Sequence, residues 1–178
     1  TGWMGWAKNG TMSGTNDYAL RIEAMQVQLV PKGQSAPGST ENSYLVPNLY
    51  YTTHVQDFGW QDYVINGKSS GTSGQSKRLE GIKINLANQE YTGDIQYTTH
   101  VQDYGWQDWS SNGDLSGTSG KSKRLEAIRI RLTGEMANHY DIYYRVHAQD
   151  YGWLDWAKNG ADSGTTGMGK RLEAIQIV

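Results

Sequence analysis

From Tyr97 the chain alternates. Tyr97, Thr99, Val101 and Asp103 fall on one face of an extended segment, and Thr98, His100, Gln102 and Tyr104 on the other. That is the period-2 pattern of a β-strand. Gly105 ends the run and lets the backbone turn, so that Trp106 points elsewhere. Alternation returns from Arg124 to Leu132. Glu126, Ile128, Ile130 and Leu132 share the side expected to face the core, and Leu125, Ala127, Arg129 and Arg131 share the other. This phase puts Glu126 inward at the start of its strand. Between the two runs, Asn112-Gly113 predicts a type I′ turn, which needs positive φ at both central residues. Trp106 to Ser111 and Asp114 to Thr118 are therefore predicted to form a hairpin. No ten-residue window carries a helical period.

The same pattern is written four times, at 1–28, 51–86, 97–132 and 144–178. The first copy lacks the leading strand, and Asn16-Asp17-Tyr18-Ala19 replaces its Gly-rich turn. Gly-Trp recurs at Trp3, Trp60, Trp106 and Trp153. Asn-Gly follows at Asn9, Asn66, Asn112 and Asn159, Ser-Gly-Thr at Ser13, Ser70, Ser116 and Ser163, and an Arg-Leu/Ile-Glu triplet at Arg21, Arg78, Arg124 and Arg171. A fixed period of this size marks a repeat architecture, whose units cannot bury their apolar faces alone. Residues 29–48, rich in Pro, Gly, Ser and polar residues, read as a linker. The expectation is one all-β repeat domain over 1–178. Three complete copies suggest a pseudo-three-fold β-prism-like fold of short antiparallel strands. A β-trefoil and a four-bladed propeller using the first copy as a blade are the alternatives.

Composition narrows the functional classes. The 178 residues carry a net charge of −2, and no basic stripe suits nucleic acid. No window approaches the apolar length of a membrane span, and no signal peptide is visible. Cysteine is absent, which excludes disulfides and thiolate metal sites. Twelve Tyr and seven Trp stand against one Phe. Rings with an apolar face and a polar tip suit both half-buried sheet surfaces and wet binding faces.

Candidate chemistry follows the repeat. Trp60, Trp106 and Trp153 read first as core residues pinning each unit, with a sugar-stacking platform as the alternative. The second aromatics, Tyr63, Trp109 and Trp156, suit a half-exposed groove. Asp57, Asp103 and Asp150 recur in a Gln-Asp pair, and Asp62, Asp108 and Asp155 recur five residues later. Two carboxylates can serve as acid and base in glycoside hydrolysis, but that chemistry needs one asymmetric site with differently tuned environments. Near-identical pairs in three copies argue against it, so no enzyme, cofactor or metal is expected. His54, His100 and His147 could meet at a three-fold axis; the plainer reading is a strand histidine held by a carboxylate. Arg78 and Glu80, with their equivalents, share a strand face and read as a structural ion pair. Together, Trp60, Asp57, Tyr63, Asp62, Trp106, Asp103, Trp109, Asp108, Trp153, Asp150, Trp156 and Asp155 are the candidate carbohydrate-binding residues.

The anchors H-V-Q-D-x-G-W, N-G, S-G-T and R-L-E-A-I-x-I-x-L resemble the ChW repeat, the clostridial hydrophobic repeat with conserved tryptophan. The resemblance covers the chain apart from its linkers. It implies a secreted or cell-surface protein of Gram-positive bacteria, with repeats beside enzymes or adhesion modules. It also implies attachment to polysaccharide, cell wall or host surface, and the partner expected here is polysaccharide or a cell-wall or host glycan. The family supplies no defined binding residues. The reading is a non-catalytic carbohydrate or cell-surface binding module, multivalent through its repeats. The alternative is a protein-interaction or structural spacer module.

Overall fold

Three of the four copies turn their period-2 runs into long paired strands. The computed structural model describes residues 2–16, 20–45 and 48–178. Thr1, the last three residues of the Asn16–Ala19 replacement and residues 46–47 of the linker lie outside them. The chain divides into two units, Thr1–Pro47 and Asn48–Val178.

Within Thr1–Pro47, the Asn9-Gly10 turn is present, with φ of 51° and 78°. β1 (Gly14–Thr15) pairs in parallel with β2 (Tyr44–Leu45). Arg21 bonds Glu23 through Nε and Nη2, with both side chains exposed. Ile22, Met25 and Val27 occupy the positions that are buried in later copies, yet here they are exposed.

Within Asn48–Val178, each copy gives two long strands and three two-residue strands. The second copy gives β3 (Leu49–Val55), β4 (Gly59–Trp60), β5 (Val64–Ile65), β6 (Ser70–Gly71) and β7 (Leu79–Leu86). The third gives β8 (Ile95–Val101), β9 (Gly105–Trp106), β10 (Ser110–Ser111), β11 (Ser116–Gly117) and β12 (Leu125–Leu132). A single helical turn, α1 (Met136–His139), precedes the last copy. That copy gives β13 (Tyr143–Ala148), β14 (Gly152–Trp153), β15 (Ala157–Lys158), β16 (Ser163–Gly164) and β17 (Leu172–Ile177). They build three five-stranded antiparallel sheets, one per copy, in a pseudo-three-fold arrangement. The all-β, prism-like expectation holds, with three sheets rather than a propeller's four blades.

The predicted hairpin is in the wrong place. Asn112-Gly113 does have the left-handed backbone of its turn, with φ of 44° and 93°, and Asp114 N–H closes it on Ser111 O at 2.9 Å. Its two arms go to different sheets: β10 pairs with β8 of its own copy, while β11 pairs with β7 of the preceding copy. The short hairpin is instead β8–β9, with Val101 opposite Gly105 across the loop Gln102-Asp103-Tyr104.

The exchange is cyclic. β11 joins β7, β16 joins β12, and β6 joins β17, so the second copy closes the ring on the last. The Ser-Gly-Thr motif forms each joint. Gly117 approaches so closely that a Cβ there would lie 2.5 Å from Glu80 O, and Thr118 N–H donates to that same carbonyl at 2.7 Å. Gly113 N–H donates to Ile84 O at 2.8 Å, so the turn itself is tied to the neighbouring strand. The buried hydroxyls of Tyr51, Tyr97 and Tyr144 complete the joint. Tyr97 donates to Asp114 O and accepts from Ile84 N–H at 3.1 Å; Tyr51 accepts from Ile177 N–H at 3.1 Å. Burial pushes the Tyr51 and Tyr97 phenols up to about 12.

Leucines, isoleucines and the three tyrosines from all three sheets form one core. The register slips between Leu125 and Ala127, leaving Glu126 as the extra residue of a β-bulge. The simple alternation therefore fails at this end of the strand. Leu125 pairs with Val101 and joins the core, and Glu126, though buried, reaches His100.

Candidate functional site

Each complete copy carries the same chain of polar contacts ending on a tryptophan. Arg124 donates from Nε to Glu126 Oε1 at 2.9 Å, and its Nη2 lies 2.7 Å from the same oxygen. The other carboxylate oxygen lies 3.1 Å from His100 Nδ1, without forming a hydrogen bond of good geometry. The His100 ring meets Trp106 edge-on, with centroids 5.6 Å apart. Arg78, Glu80, His54 and Trp60 repeat this arrangement, as do Arg171, Glu173, His147 and Trp153. A buried carboxylate is tolerable only with such partners. The three histidines do not meet; each stays with the glutamate of its own copy. Among the described residues no three His, Asp or Glu side chains are grouped as metal ligands.

The tryptophans after glycine are not core residues. Trp60 is 37% exposed, and Trp106 and Trp153 are half-buried. β4, β9 and β14 pair back onto the outer half of the long strand, which places each ring against its histidine on the face away from the core. The second aromatics are more open: Tyr63, Trp109 and Trp156 are all exposed.

Cations from the outer face of the sheet pack on these rings. The Arg129 guanidinium lies 3.9 Å from the Trp106 centroid and Arg131 4.1 Å from that of Trp109. In the last copy Arg145 serves both Trp153, at 5.1 Å, and Trp156, at 4.7 Å. Lys83 lies 4.9 Å from Trp60. Cation–π contacts of this kind fix a ring while leaving its free edge and donors open to solvent. The alternation of the last strand already put Arg129 and Arg131 on the outer side, but nothing in the sequence says that the tryptophans share it.

The two aspartate series separate. Asp57, Asp103 and Asp150 occupy the hairpin loops with left-handed φ of 67°, 67° and 69°. Each pairs with a lysine just before the arginine: Lys123 lies 2.6 Å from Asp103, and Lys170 2.6 Å from Asp150. The lysine hydrogen bond holds each of these three carboxyls below the ordinary range. Asp62, Asp108 and Asp155 lie exposed beyond the tryptophan strand, beside the second aromatics in sequence. Sequence reasoning passed over the residues between Asp and Gly: Phe58, Tyr104 and Tyr151 stand exposed at the hairpin tips. Their recurrence in three copies was the available signal.

The Clostridial hydrophobic W family model matches residues 1–31, 54–88, 100–134 and 147–178, which is more than half of the chain. The chain belongs to the Clostridial hydrophobic W, or ChW, family. No match was found among curated proteins or among solved structures. ChW repeats are typically extracellular modules. Among the described residues no helix is long and apolar enough to cross a membrane. The matched segments of the three later ChW copies begin at the histidine, so they leave out most of the leading strand with its buried tyrosine.

Proposed function

We propose that this ChW chain is a non-catalytic module that binds polysaccharide, cell-wall or host glycan outside the cell of a Gram-positive bacterium. The observation that carries the reading is the outward placement of Trp60, Trp106 and Trp153, each beside a second exposed aromatic and a cation. A sugar offers C–H groups to a ring face and hydroxyl pairs to planar polar side chains. Trp106, Trp109, Arg129, Arg131 and Asp108 supply both kinds of group in the third copy; Trp60, Tyr63, Asp62 and Lys83 do so in the second, and Trp153, Trp156, Asp155 and Arg145 in the last. Asp57, Asp103 and Asp150 serve mainly to hold the hairpins. Each site is made of exposed and half-buried side chains, so single contacts are weak and repetition raises avidity. Adjoining catalytic or adhesion modules would gain attachment from it.

Glycan arrays and calorimetry with cell-wall, plant and host glycans test this. The expected result is millimolar binding that quenches tryptophan emission and is lost in stages with Trp106→Ala and Trp153→Ala. No response to any glycan, with intact folding, would sink the reading. The same exposed rings favour a second reading, a protein-docking surface; it would be supported if the two Trp variants abolished capture of a purified surface protein while glycans gave nothing.

A further inference from the structure

One cavity in the Asn48–Val178 unit is lined by the same residues from all three complete copies, and so lies on the pseudo-three-fold axis. Gln56, Gln102 and Gln149 line it together with Arg78, Arg124 and Arg171, in a space of about 180 Å³. These glutamines precede the loop aspartates, and these arginines open the last strand of each copy. Ser122 and Gly169, at equivalent positions, complete the wall with left-handed φ of 56° and 68°. The side chain at each is small, which keeps the cavity open.

The arginines are only partly committed. Each uses Nε and Nη2 on its own glutamate, and Nη1 takes no part in those bonds. Their side chains keep 22–26% of their surface accessible. The glutamates neutralise the set as a whole; they do not line the cavity, and each also contacts a histidine. Three half-used guanidinium groups therefore line the cavity with three glutamines, each of whose side chains also hydrogen-bonds the loop aspartate beside it, Asp57, Asp103 or Asp150. Guanidinium matches oxyanions in charge and geometry, and a carboxamide N–H₂ adds a neutral donor.

We propose that this cavity is a binding site for a tetrahedral oxyanion, a sulfate or phosphate group, held on the axis by Arg78, Arg124 and Arg171. Three equivalent donors around one axis fit the three terminal oxygens of a sulfate or phosphate monoester, whose own local symmetry is three-fold. The ester bond then points outward, to solvent. The same chemistry serves a free inorganic ion and an anionic substituent on a sugar. Because the glutamates offset the formal charge, affinity depends on these short-range donors and falls with salt. The site is independent of the outer tryptophan surfaces, which can bind or fail to bind glycans with this cavity unaffected.

The test is a titration of the ¹⁵N-labelled full chain, following backbone amides and arginine Nε–H resonances. The probes are inorganic sulfate, inorganic phosphate, chloride at matched ionic strength, and a sulfated monosaccharide beside its unsulfated parent. Sulfate and phosphate are expected to shift Arg78, Arg124 and Arg171 saturably, as one site, at least tenfold more tightly than chloride. The sulfated sugar should do the same and its parent should not. Saturation by the inorganic ions without a response to the sulfated sugar supports the site and assigns it to free anions. Gln102→Glu with Gln149→Glu places two carboxylates at the cavity and should weaken binding at least tenfold, with amide changes confined to the cavity and to the hairpins of Asp103 and Asp150, whose side chains these glutamines bond. Glutamine is changed because removal of Arg124 would leave Glu126 buried without its partner. Linear shifts spread over surface lysines, equal action of chloride, or wild-type binding by the double variant would overturn the proposal.

Discussion

A methyl group separates two kinds of glycine in this chain. Gly105 has φ of 76° with nothing within 4 Å of a Cβ, so only backbone strain opposes a side chain there. Gly105→Ala should cost about 1–2 kcal/mol. Gly117 combines φ of 101° with backbone atoms 2.5 Å from a Cβ. Gly117→Ala should cost at least about 3 kcal/mol, because neither the Glu80 carbonyl nor the strand behind it can retreat. Urea denaturation of the two variants checks the order; equal losses would refute the joint as described. The buried tyrosines give a second residue-scale expectation. Tyr51 and Tyr97 ionise near 12 when folded, against about 10 when unfolded. A folded-state pKa raised in this way contributes stability below the unfolded value that is lost as pH climbs to the folded one. Stability should therefore hold up to about pH 10 and fall between about 10 and 12, on the order of 2 kcal/mol for each phenol. Thermal melts across that window read it directly, and a flat profile would contradict the burial of these hydroxyls.

At the scale of elements, the tyrosine hydroxyl fastens three strands together. Tyr97, on β8, donates to Asp114 O just ahead of β11 and accepts from Ile84 on β7 of the preceding copy. Tyr97→Phe keeps the ring and the core contacts but leaves the Ile84 N–H and the Asp114 carbonyl short of a partner. The expected loss is about 1–3 kcal/mol by chemical denaturation. It should be accompanied by faster amide exchange at Ile84; unchanged exchange there would show that another group satisfies that N–H. The elements also show how much of the candidate site could be read from sequence. The long strands were legible because one face is apolar at every second residue. Glu126 was legible as a buried partner of Arg124; its turn toward His100 was not, because a bulge is a backbone choice that shifts one residue without altering the sequence pattern. The Asn112-Gly113 turn was legible by its φ requirement. Its partners were not, because a turn fixes its own backbone and not the strands that take its arms. The tryptophans were misassigned for a similar reason. A two-residue strand is too short to show a period, and only the pairing of β9 with β8 puts Trp106 on the outer face.

For the whole molecule, the cyclic exchange of Ser-Gly strands makes three copies interdependent. Every exchanged strand, from β6 to β16, lies within residues 48–178. That segment should therefore fold without the first copy, in a single cooperative transition, and its joints should resist opening one at a time. Expression of 48–178 and calorimetric melting check this. Separate transitions for individual copies would show that the exchange carries little energy. The first copy differs in a physically plain way. Its counterparts of the buried residues are exposed, and its chain holds the Asn-Gly turn and a two-residue parallel pair.

The sequence by itself determined the repeat, the all-β class, the strand faces and the turn backbones, because periodicity and left-handed φ are local properties of the residues that carry them. It also determined that the same chemistry would be presented several times. Tertiary structure alone decided which copy receives which strand, which side of the sheet the tryptophans occupy, and that three arginines and three glutamines from distant copies face one cavity. Those outcomes depend on closing a ring between residues more than a hundred positions apart, as in the bond from Ile177 N–H to Tyr51. No local pattern encodes that closure; it follows from burying three apolar faces against one another.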